Sequence, residues 1–295
     1  MKKIFQKMCI YWELTKPNIS FLVLVVATWG FYLGLIQAGT GLKDASHWWV
    51  LWFHLMAGSF FSSGGVSALN QYLEHASDAK MKRTRKRPIP SGRLRAKQVR
   101  NFGISITSAG VLYLYYFVNP VAGVLAFITI ALYLFVYTPM KRKSPWSLII
   151  GAVPGALPPV GGWVAATGEI GVGALILFGI LFCWQIPHFL AIAILYREDY
   201  ISGGFTVFPQ SGIITFNILS FSFALIWISL SLFFVNLAGL LYGVLVTVIG
   251  VIFFFIALAT TQKQTPKFTR RLLIASIVYL PVLLAVSIID QIIAV

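Results

Sequence analysis

Apolar runs of about 20 residues begin near positions 19, 47, 99, 120, 147, 171, 214, 237 and 272. Each is long enough, at about 1.5 Å per helical residue, to cross roughly 30 Å of hydrocarbon. Short polar stretches separate them. The pattern predicts an all-α polytopic membrane bundle of nine transmembrane helices, forming a single domain over residues 1–295. At two joints, Asn119-Pro120 and the vicinity of Asn236, neighbouring runs almost merge, and fusing either pair would invert everything downstream. The first run follows Met1-Lys2-Lys3 without a small-residue cleavage site, so a retained span is expected.

Charge orients this arrangement. Of 23 Lys and Arg, 22 fall on alternate sides that a nine-span count places together, and Lys43 alone falls opposite. Basic residues gather in cytoplasmic loops. The expectation is therefore a bacterial cytoplasmic membrane protein with its N-terminus cytoplasmic and its C-terminus outside, and with residues 70–98 and 196–213 as cytoplasmic active-site loops. Composition agrees: 58% hydrophobic and 11% charged residues leave too little polar surface for a soluble globule. The net charge of +15 is explained by topology, with no nucleic acid as partner. Two cysteines, Cys9 and Cys183, exclude a disulfide framework or a cysteine-rich metal site.

The eight acidic residues are more telling, because a carboxylate near hydrocarbon costs about 2.5–3.5 kcal/mol on insertion scales. Glu74 and Asp78 follow the second run, Glu198 and Asp199 the sixth, and both clusters emerge on the cytoplasmic side. That placement suggests a repeat of four-helix units. Asn70, Glu74 and Asp78 are spaced i, i+4, i+8, which stacks three oxygen-bearing side chains along one helix face. Such a stripe suits Mg²⁺, which takes one or two carboxylates and completes its shell with water and substrate phosphates. Glu198 and Asp199 could hold a second ion opposite.

A basic run, Lys80, Lys82, Arg83, Arg85, Lys86 and Arg87, follows directly and ends at Pro88-Ile89-Pro90-Ser91-Gly92. Taken alone, it is equally a positive-inside loop facing anionic lipid. Interleaved with carboxylates, it fits a Mg²⁺-diphosphate site, in which Arg forks grip one set of phosphate oxygens and the metal another. Lys141 and Arg142 could join the same rim. His188, after Pro187, is either a hydrogen-bonded helix histidine or a contact to an iron or a propionate. His47, His54 and His75 read as ordinary packed or solvated histidines, and Trp48, Trp49 and Trp52 as an interfacial anchor.

Four stretches carry a family resemblance: Leu14-Thr15-Lys16-Pro17; Asn70-Gln71-Tyr72-Leu73-Glu74 through Asp78, Met81, Arg83-Thr84 and Arg87-Pro88; Tyr137 to Arg142 running on to the Gly151–Pro159 Pro-Gly stretch; and Trp184-Gln185-Ile186-Pro187-His188-Phe189 leading to Asp199-Tyr200. Over residues 14–209 the chain resembles the UbiA-type intramembrane prenyltransferases and, through the Pro-Gly stretch, their heme-prenylating branch. The resemblance implies transfer of a farnesyl group from farnesyl diphosphate to the ring-carbon-2 vinyl group of heme B, with Mg²⁺ as cofactor. It implies Asn70, Glu74, Asp78 and Asp199 as catalytic residues, with Glu198 among the metal ligands. Diphosphate binding would fall to Arg83, Arg87, Lys141 and Arg142, and heme binding to His188, Trp184 and Gln185. Heme A synthase or terminal oxidase assembly factors are implied partners.

Rival readings are a relative that prenylates a quinone or chlorophyll precursor, and a non-catalytic heme carrier. The chain departs from the family pattern in two places. Glu74 stands where many members have Asp, and residues 203–209 read Gly-Gly-Phe-Thr-Val-Phe-Pro instead of Ala-Gly-Ile-Pro-Met-Leu-Pro. Thr206 for proline, with Gly203, is expected to loosen that loop.

Overall fold

The structure, a computed structural model, describes residues 2–39, 45–206 and 211–293. Lys43, Asp44 and the side chain of His47 lie outside the described residues, as do residues 207–210. Among the described residues every regular element is helical. The helices are α1 (Lys2–Leu14), α2 (Pro17–Gln37), α3 (Ala45–Asp78), α4 (Ala96–Phe117), α5 (Pro120–Ala131), α6 (Thr138–Met140), α7 (Ser147–Ala156), α8 (Pro158–Thr167), α9 (Val172–Leu195), α10 (Arg197–Ser202), α11 (Ser211–Phe234), α12 (Leu240–Lys263) and α13 (Pro266–Ile293), with a π-helical turn, Leu132–Tyr137, between α5 and α6.

Both doubtful joints are true breaks. Asn119 is extended, its Oδ1 accepts from the Ala122 N–H at 2.8 Å to cap α5, and its Nδ2 donates to the Val164 carbonyl. Asn236 adopts φ 58°, a left-handed conformation that ends α11. Seven of the described helical segments are long and apolar enough to cross a membrane, two fewer than expected. The two outside that set are α3, rich in serine and ending in the acidic stripe, and α4, which opens on Lys97 and Arg100. The structure adds a helix that periodicity did not anticipate. It is α1, whose Phe5, Met8 and Trp12 are exposed while Leu14 is buried beside Ala68 and Val99.

Packing qualifies the expected repeat. The second half closes as a four-helix ring: α9 on α11, α11 on α12, α12 on α13, and α13 back on α9. The first half needs a fifth member, because α2 lies between α3 and α8. The α2–α8 contact is backbone to backbone. A Cβ on Gly30 would strike the Pro159 carbonyl, and one on Gly162 the Ala27 carbonyl. This is the small-residue mode by which helices approach closely in lipid, and it gives the Pro-Gly stretch its structural task. Between the first and last long helices, Trp29 Nε1 donates to Ser287 Oγ at 2.9 Å.

Candidate active site

Asn70, Glu74 and Asp78 form the inward stripe of the last turns of α3, so the expected loop starts only at residue 79. All three are buried, at 2%, 5% and 0% exposure. Three buried oxygen-bearing groups in a membrane protein require partners, and each has a cation or hydroxyl from a different segment. Asp78 accepts from Arg87 Nη1 with both carboxylate oxygens, each at 2.7 Å. Glu74 Oε1 receives Lys141 Nζ at 2.8 Å. Asn70 receives Lys16 Nζ on Oδ1 at 3.5 Å and donates its amide to Thr138 Oγ1 at the same distance.

Local sequence explains how these partners arrive. Pro139 has no N–H to continue the helix ladder, and the chain ahead of it widens into a π turn. Thr138 Oγ1 then donates to the Tyr133 carbonyl at 2.8 Å, and Lys141 emerges facing α3. Its Nζ lies 4.4 Å from the centroid of the Tyr137 ring and 5.8 Å from that of Phe205. Lys16 sits at the α1–α2 joint with φ 47°, a left-handed backbone uncommon for a side chain of this size. Gln71 Nε2 holds that joint by donating to the Leu14 carbonyl at 3.0 Å. Burial, with Arg87 and Lys141 nearby, draws the Lys16 ammonium down to about 7, against the opposing pull of Glu74 and Asp78.

The second acidic cluster divides. Asp199 accepts from the backbone N–H groups of Lys82 and Arg83, at 3.2 and 3.3 Å, and so tethers the basic loop. Glu198 is exposed with no partner among the described residues. The Arg83 guanidinium lies 5.8 Å over the Tyr196 ring, and Arg142 donates to Ser77 Oγ at 3.0 Å. Among the described residues no three Asp, Glu, His or Cys side chains converge as they would around an ion, because the two buried carboxylates are turned onto Arg87 and Lys141. The donor chemistry nevertheless fits Mg²⁺: oxygen atoms only, two carboxylates and an amide on one face, and cations beside them for the phosphates the ion would bring.

The loop expected to be loose is tied down. Thr206 donates its backbone N–H to the Lys141 carbonyl at 2.8 Å, a bond proline could not make. Gly203 is right-handed and packs against Met81, where a Cβ would come within 2.9 Å of Sδ. The substitutions that remove proline and alanine therefore fasten residues 199–206 to the chemistry-bearing segment.

Within α9, Trp184 Nε1 donates to the Ser276 carbonyl at 2.7 Å, and its ring stacks on His188 at 4.9 Å. His188 Nδ1 lies 2.8 Å from Ser276 Oγ. Gln185 is buried, its Nε2 donating to the Leu181 carbonyl at 3.0 Å and the Ala152 carbonyl at 3.4 Å, in a notch that a side chain at Gly155 would fill. Two of the three histidines read as ordinary have ordinary partners: His54 meets Tyr113 Oη and His75 the Tyr72 carbonyl. Sequence reasoning assigned no site role to Lys16, Ser77, Thr138 or Ser276. Only Lys16 and Thr138 had a signal, in the Leu14–Pro17 and Tyr137–Arg142 stretches.

The UbiA prenyltransferase family matches residues 23–280. The chain belongs to that family. It is 38% identical over 288 residues to the protoheme IX farnesyltransferase of Solibacter usitatus, covering 95% of this chain and 98% of that one. The protoheme IX farnesyltransferase of Salinibacter ruber is 39% identical with the same coverage. Two solved UbiA-type structures share the fold. A digeranylgeranylglyceryl phosphate synthase superposes with a TM-score of 0.74 at 15% identity, covering 97% of this chain and 98% of that one. A UbiA homolog from Aeropyrum pernix gives 0.67 at 17% identity, covering 91% and 98%. This UbiA prenyltransferase is a multi-pass membrane protein whose buried polar site is described above.

Proposed function

We propose that this prenyltransferase converts heme B to heme O. The allylic C–O bond of farnesyl diphosphate breaks and diphosphate leaves. The farnesyl C1 joins the outer carbon of the ring-carbon-2 vinyl group, water adds a hydroxyl at the inner carbon, and a proton is released. The observation that carries the donor half is the buried Asn70–Glu74–Asp78 stripe interleaved with Lys16, Lys141 and Arg87. The acceptor half is supported by heme-acting relatives at 38% and 39% identity along 95% of the chain.

Asn70, Glu74, Asp78 and Asp199 would hold Mg²⁺. When bound, that ion neutralises charge on the departing diphosphate. Lys141 and Arg87 present fixed cations to the same phosphate oxygens, a preorganised counterpart to charge that grows only as the bond breaks, and Lys16 joins them in its protonated form. Arg83 and Arg142 extend the cationic rim. Once the diphosphate leaves, the allylic cation must be kept from bulk water. The faces of Tyr137 and Phe205 lie beside Lys141 and can stabilise it. Asn70 lies about 12 Å along α3 from its end at Asp78, and His188 about 10 Å along α9 from its end at Leu195. Donor and acceptor sites thus enter from the same end of the bundle, and the distribution of Lys and Arg supports the cytoplasmic face of a bacterial membrane for that end.

Purified protein given heme B, farnesyl diphosphate and Mg²⁺ should form heme O, detected by mass spectrometry, and chelation should stop it. Heme B left unmodified by an active preparation would sink the assignment. Asp78→Ala should lower turnover far more than heme binding.

A further inference from the structure

Ser276, on α13, is fully buried and 88 residues from His188. Its Oγ donates to the Leu273 carbonyl at 2.7 Å and lies 2.8 Å from His188 Nδ1. A hydroxyl has one proton, and a carbonyl can only accept. With that proton on the Leu273 carbonyl, the Nδ1–H of His188 is the donor to Ser276 Oγ. Trp184 fixes the ring plane from the other side, stacked at 18° and anchored on the Ser276 backbone. In a neutral imidazole held this way, Nε2 carries the free lone pair. No described residue donates to it, and His188 is only partly buried. A lone-pair nitrogen can ligate a metal, but it has no proton to offer a carboxylate.

We infer that Ser276 is a positioning residue that locks His188 in its Nδ1–H tautomer, so that Nε2 meets the iron of the heme substrate and not a propionate. The inference rests on the reading of His188 as a heme contact and narrows it. An outer partner of this kind sets ligand orientation and basicity, and its loss typically costs ten- to a hundredfold in affinity.

The test uses full-length protein in nanodiscs, with heme B and metal-free protoporphyrin IX as paired probes, since both carry propionates and only one carries iron. In the wild type, reduced heme B should show an iron–histidine stretch by resonance Raman. His188→Ala should abolish it. Ser276→Ala should lower its frequency and weaken heme B binding about tenfold, Ser276→Thr should restore both, and porphyrin binding should stay unchanged in all three variants. If His188→Ala leaves heme binding and spectrum intact, His188 is no heme contact and the underlying reading fails. If His188→Ala acts but Ser276→Ala leaves frequency and affinity untouched, the positioning role alone is overturned. Porphyrin binding weakened as much as heme binding in any of these variants overturns the iron assignment.

Discussion

Lys141 tests whether the buried ion pairs are chemistry or scaffold. Its ammonium sits 2.8 Å from Glu74 Oε1, with side-chain exposures of 17% and 7%. Lys141→Met leaves Glu74 ionised and unpaired beside hydrocarbon. Breaking a buried pair from one side costs about 3–5 kcal/mol, mostly the desolvation of the abandoned charge. The double variant Lys141→Met with Glu74→Gln removes both charges and should recover most of that stability. Turnover should behave differently. A preorganised charge at the leaving group contributes about 10²–10³ in kcat, and the double variant restores no cation, so its rate should stay at least as low as that of the single variant. Thermal unfolding in nanodiscs, paired with heme O formation under saturating substrates, separates the two effects. Recovery of both stability and rate in the double variant would show that Lys141 and Glu74 serve only to neutralise one another, and the reasoning about the diphosphate and about Glu74 as a metal ligand would both be wrong.

Other expectations follow from individual contacts. Gly162→Ala puts a methyl group into the Ala27 carbonyl and should destabilise by about 3 kcal/mol through overpacking, visible as a lowered melting temperature. Asp290, buried at 4% exposure, accepts from the N–H groups of Gly239 and Tyr242 at the start of α12. Asp290→Ala should cost about 2 kcal/mol as these donors lose their cap, with the heme KM unchanged. Thr206→Pro deletes the bond to the Lys141 carbonyl, worth about 1 kcal/mol. Amide exchange across residues 199–205 should quicken while Thr206→Ala leaves it as in the wild type.

The carboxylate stripe was readable because its logic is local: i, i+4, i+8 on one helix forces Asn70, Glu74 and Asp78 onto one face whatever surrounds them. Asp78 with Arg87 was nearly as accessible, since only nine residues separate them. Lys16 was not, because a lysine after a short amphipathic segment looks like any topology charge until Gln71 pins the Leu14 carbonyl. The loop at 203–206 was misjudged for a similar reason. Losing a proline loosens an isolated backbone, yet it also releases an N–H, and whether a carbonyl waits for it is decided by the fold.

Hydrophobic run length, the one-sided distribution of Lys and Arg, and the spacing of a few acids determined the helical membrane class and the location of the polar centre, because bilayer thickness and helix pitch act on consecutive residues. The tertiary structure alone decided which cation meets which carboxylate, that α2 lies against α8 through Gly30 and Gly162, and that Ser276 near the far end of the chain meets His188. Those are encounters between segments dozens of residues apart, fixed by packing against one another and by the demand that every polar atom withdrawn from water find a partner.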